Sequence, residues 1–138
     1  MRLNRSLIFH ILYAAEENSY EVSLESIADM LNRGFDTDID LAGPEMNVTH
    51  AIVEQRNELD MRLVPLLANW KIERIGVCTK LILRLALWEL LNTDNAPSLV
   101  INEAIELAKC FAEVDAYKFV NGVLDEALKK IVEKKEVE

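Results

Sequence analysis

Apolar positions recur at steps of three and four along nearly the whole chain, which is the helical period. Leu7, Ile8, Ile11, Leu12 and Ala15 form the first such stripe and predict a helix over Arg2 to Glu17. Ser23 is placed to cap a second helix, "LESIADMLNR", with Gly34 as its terminating residue. The acidic stretch "FDTDIDLAGP" lacks the period and reads as a mobile loop. A third helix is expected from about Glu45 to Leu59. Asp60 then offers a cap for a short fourth, "MRLVPLLANW", kinked at Pro65.

The fifth helix, about Val77 to Leu91, is apolar nearly all round and belongs at a buried centre. Arg84 in its middle needs a carboxylate once it leaves water, and Glu89 and Glu103 are the candidates. "TDNAP" is a turn, and "VINEAIELAKCFA" is the sixth helix. Asp115 caps a seventh that runs to about Lys134, with "EKKEVE" frayed. The pattern predicts an all-α protein of about seven helices. They form one domain over 1–138, with helices of about 2–70 and 75–134 as two sub-bundles.

Two edges of these helices carry candidate chemistry. On the first helix, Arg2, Arg5, Phe9 and Tyr13 follow one another along one flank. Such an edge could hold a phosphate backbone and a base, but spacing alone favours aromatics packed against a neighbour. On the seventh, Val120, Val123, Leu124, Ala127 and Ile131 define the inward stripe. Phe119 falls at its rim, with Asp115, Gly122 and Glu126 just outside it and Lys118 further round. A ring at the rim beside an open glycine suits a stacked base, and equally suits packing on another helix.

Composition narrows the field. At 138 residues, half of them apolar, the chain can bury a core without disulfides. Cys78 and Cys110 lie in apolar helical patterns and are expected reduced and shielded. His10 and His50 are isolated, so no metal site follows from ligand spacing, and no cofactor or phosphate loop is implied. Neither a signal-peptide h-region nor a membrane-spanning run is present, so the cytosol (cytoplasmic location) and no membrane partner are expected. Most carboxylates sit on solvated helix faces, which leaves little for enzymatic catalysis. The net charge of −9 argues against binding nucleic acid unaided and suits a basic protein partner.

The runs "LILRLALWELL", "INEAIELAK" and "KFVNGVLD", in this order and spacing, resemble the NusB transcription antitermination factors. Trp70 and the "ILY" of Ile11 to Tyr13 fit the same pattern, and the resemblance covers essentially the whole chain. It implies two small helical bundles set across one another and a non-enzymatic role. It implies pairing with the small-subunit ribosomal protein NusE, joint binding of boxA-like single-stranded RNA, and membership of an RNA polymerase antitermination complex. RNA contacts carried over from the family are Arg2, Arg5, Asp115, Lys118, Phe119 and Asn121. Partner contacts are Glu73, Thr79 and Lys80.

This chain departs from the family in three places. The N-terminal arginine run is reduced to Arg2 and Arg5, Glu126 adds an acid to the presumed RNA face, and Thr79 stands where many relatives carry an acid. Two alternatives follow: an interaction module of the same fold that has lost RNA binding, or a domain like the NusB-like RNA-binding domain of ribosomal RNA methyltransferases.

Overall fold

The computed structural model describes residues 3–137, so Arg2 lies outside the described residues. All regular structure described is helical. The seven α-helices are α1 (Arg5–Glu17), α2 (Leu24–Gly34), α3 (Pro44–Glu54), α4 (Arg56–Leu63), α5 (Val77–Asn92), α6 (Pro97–Phe111) and α7 (Ala116–Val137). Two single-turn 3₁₀ segments, Val64–Leu66 and Ile72–Arg74, lie between α4 and α5. The chain divides between Gln55 and Arg56 into two compact units. That division precedes the expected one near residues 70–75, because α4 is bonded to α5 through Asp60 and Arg84.

In the first unit the predicted stripe of α1 closes a core of Ile11, Ala15, Leu24, Ile27, Ala28, Ile39 and Met46. Asn4 caps α1: its Oδ1 accepts from Leu7 N at 3.1 Å. Its own N–H donates to Glu45 Oε2 at 3.1 Å, tying α1 to α3. Ser23 caps α2 as expected, accepting from Ser26 N at 3.1 Å. Gly34 does not end α2 in a left-handed turn. It is the last helical residue, and the positive φ of 54° falls on Asp36 instead.

The acidic loop expected to be mobile is clamped. Asn32 Oδ1 accepts from Ile39 N and Thr37 Oγ1, both at 2.7 Å, while its Nδ2 donates to Ile39 O at 3.0 Å. Ile39 is thereby driven into the core at 6% exposure. The α3–α4 break also differs from expectation: it falls at Gln55, so Asp60 lies inside α4 and does not cap a helix. Pro65 sits in the 3₁₀ turn after α4, where its missing N–H costs no α-helical bond.

The second unit is organised around α5. Leu81, Ile82, Leu83, Leu85, Ala86 and Leu87 are all buried, as the all-round apolar pattern requires. Arg84 is buried too, but its carboxylate is Asp60. Glu89 is also buried, and its Oε2 accepts from Asn95 Nδ2 at 3.4 Å. Val120, Val123, Leu124 and Ala127 of α7 are buried as predicted, with Ile131 half-buried. Of the tail expected to fray, the described residues continue α7 to Val137. Cys110 corrects the other core expectation. It is exposed and Cys78 is half-buried, and neither is in a disulfide.

Candidate functional site

The turn between α6 and α7 sets the geometry of the site. Ala116 N donates to Glu113 O at 3.0 Å and Lys118 N donates to Asp115 O at 3.1 Å. Closing the chain this tightly puts Asp115 in the left-handed region, φ 69°, which a short polar side chain tolerates better than most. Its carboxylate meets Lys118 Nζ at 3.7 Å, with both side chains about two-thirds exposed. A pair so open to water contributes little stability and can be reorganised by a ligand.

One helical turn on, Phe119 is half-buried. Its ring meets Trp70 edge to face, with centroids 6.1 Å apart and planes at 69°. Trp70 follows the α4 turn outside any helix and is 61% exposed, so one face of the pair remains open. Gly122 keeps the outward side clear, since nothing would lie within 4 Å of a Cβ there. Asn121 is exposed.

Trp70 and Phe119 form one wall of an open cavity of about 460 Å³. Arg74, Gly76, Thr79, Glu113 and Asp115 are among its other lining residues, with Ile75, Val114 and Ala116. Gly76 precedes the first turn of α5, and its lack of a side chain has a direct use: a Cβ would collide with the Glu113 carboxylate. Glu113 is held there by Thr79 Oγ1, which donates to Oε2 at 3.3 Å. The cavity therefore combines an aromatic wall with the Glu113 and Asp115 carboxylates and the Arg74 guanidinium, a lining that can stack a flat group and bond its polar edges.

The predicted residues divide into those that meet here and those that do not. Asp115, Phe119 and Thr79 line one cavity, with Lys118 beside it through Asp115. Thr79 is buried at 3% exposure and offers little surface of its own, its hydroxyl being bonded to Glu113. Glu73 is exposed in the 3₁₀ turn and Lys80 is half-buried on α5. Arg5 is buried at 8% exposure, and Phe9 beside it at 3%, stacked on Tyr13 at 6.3 Å. Along that edge Arg5 and Phe9 are packed, while Tyr13 is exposed. Gly76 and Glu113 escaped the sequence reading; a lone glycine before a helix and one acid in a turn give no periodic signal.

Among the described residues no group of three or more His, Cys, Asp or Glu could hold a metal ion. No described helix is long and apolar enough to cross a membrane.

Comparison with known proteins agrees over most of the length. The NusB family model matches residues 2–129. A Transcription antitermination protein NusB of Macrococcus caseolyticus is 35% identical over 130 residues, covering 91% of this chain and 94% of that protein. The protein of the same name from Aeromonas salmonicida is 38% identical over 117 residues, covering 81% and 84%. The solved structure of T. maritima NusB superposes with a TM-score of 0.79 at 31% identity, covering 91% of this chain and 88% of that one.

Proposed function

The chain belongs to the NusB family, and from that premise we propose that it is a transcription antitermination factor that pairs with NusE and holds boxA-like single-stranded RNA jointly with it. The observation that supports this best is the cavity of the second unit, where the partner residue Thr79 and the RNA residues Asp115 and Phe119 share one lining. A base stacks on Phe119, whose partner Trp70 fixes the ring's tilt. The basic partner docks beside Thr79 and Glu113 and supplies positive charge that a chain of net charge −9 lacks. Coupled binding follows, because each ligand improves the surface offered to the other.

Arg5 is the one observation that favours an interaction module without RNA binding, since its burial removes one of only two N-terminal arginines from ready phosphate contact. Calorimetric titration of NusE into the chain, followed in parallel by tryptophan emission, tests the pairing. Heat release with a change in emission from the exposed Trp70 is expected; no heat at micromolar concentrations of both proteins overturns it.

A further inference from the structure

Four of the chain's 15 Lys and Arg residues gather where no contact was predicted. Arg62 of α4 and Lys130, Lys134 and Lys135 of α7 surround a cleft of about 350 Å³, floored by Leu90, Leu91 and Ile131. All four cations are exposed, and none has an ion-pair partner among the described residues. The neighbouring Lys129 is different, lying 4.0 Å from Glu126. Glu133 and Glu136 share the last turns of α7 but fall on its outward side at a hundred degrees per residue. In a chain with 24 acids, a cleft whose charged lining is entirely basic is a strong local departure.

We propose that this cleft seats phosphates of the RNA segment flanking the base stacked on Phe119. The proposal rests on the RNA reading above and extends its footprint to the far end of α7. Eleven residues separate Phe119 from Lys130, which brings the two to within about 20° of the same helix edge and about 16 Å apart along the axis. That is a span of a few extended nucleotides, bridged along one rigid helix. Glu126 lies between them, and its charge is partly offset by Lys129. No aromatic side chain lines the cleft, so it lacks the stacking surface that reads bases. Cations on aliphatic stems over an apolar floor fit the sugar-phosphate backbone. The cleft thus contributes affinity and salt dependence without sequence preference.

The test uses the full chain with NusE bound and two RNAs: a boxA-like core oligomer, and the same core with several uridines added on each side. Salt-series titrations compare the native chain with Lys130→Gln/Lys134→Gln, whose exposed positions should leave melting unchanged. The longer RNA should bind the native complex about tenfold tighter than the core, and the double variant should lose that gain. For the longer RNA the slope of log affinity against log salt should shrink by about 1.4, two contacts at about 0.7 each for a single strand. Equal binding of the two RNAs, or an unchanged slope in the variant, overturns the proposal. So does a variant that loses NusE instead of the longer RNA, which would make the cleft a seat for an acidic protein surface. Failure of the core oligomer itself to bind is a separate result, and it overturns the underlying RNA reading together with this one.

Discussion

Arg84 grips Asp60 with two parallel hydrogen bonds, Nε to Oδ1 and Nη2 to Oδ2, each 2.7 Å long. The Arg84 side chain is 6% exposed and that of Asp60 24%. The bidentate fork fixes α4 against the central helix of the second unit, and its geometry suits guanidinium and not ammonium. Arg84→Leu leaves a largely desolvated carboxylate behind and should cost about 2–3 kcal/mol, toward the low end for buried pairs because Asp60 keeps some water. Removing both charges with Arg84→Met/Asp60→Leu should recover most of that loss. Denaturant unfolding of the two variants measures it, and a single variant as stable as the native chain would show the pair to be energetically idle.

Phe119→Ala separates stacking from core packing. The ring is half-buried, so its loss should destabilise the fold by less than the about 3–5 kcal/mol of a full core truncation. RNA binding in the presence of NusE should weaken by about 1–3 kcal/mol if one base stacks there. Paired melting and binding curves read both quantities. A variant that melts far earlier, or binds RNA unchanged, contradicts the stacking role.

How much of this was legible in the sequence depends on range. Helix periodicity located six of the seven helices, since a stripe such as Val120, Val123, Leu124 and Ala127 is local and repeats, but it divided α4 between the expected third and fourth helices. The demand that Arg84 find a carboxylate was also legible, because desolvation requires it. Which carboxylate was not: Asp60 is 24 residues away and is brought close only by packing of α4 on α5. The same limit hid the clamp of Asn32 on Ile39, which turns an acidic, loop-like stretch into a fixed element. For the site, the family motif reached Phe119 and Asp115. Gly76 and Glu113 become meaningful only when the α6–α7 turn folds over the start of α5.

The thiols should react unequally. Cys110 on α6 is exposed and Cys78 half-buried, so a thiol reagent should modify Cys110 first in the native protein. Time-resolved mass spectrometry distinguishes the sites; equal rates, or Cys78 leading, would contradict the packing of α5 and α6.

Glu25 should titrate below its ordinary value of 4.5. A backbone hydrogen bond in the first turn of α2 holds the charged form, and His50, with Nε2 at 2.6 Å from Oε1, adds to it. A carboxyl whose folded pKa is depressed contributes stability that is complete above the unfolded value and is lost as pH falls through the folded one. The contribution of this exposed pair should therefore fade below about pH 4.5 and be absent in Glu25→Gln. Carboxyl chemical shifts followed through an acid titration give the direction, and a midpoint above 4.5 would reverse it.

The central claim is that RNA is held jointly, with the partner supplying charge that this acidic chain lacks. Fluorescence anisotropy of labelled boxA-like RNA, titrated with the chain alone, NusE alone and their mixture over a range of salt, tests it most directly. The mixture should bind at least tenfold tighter than either protein alone, with a steeper salt dependence. Equal affinity for the isolated chain and the complex would contradict it.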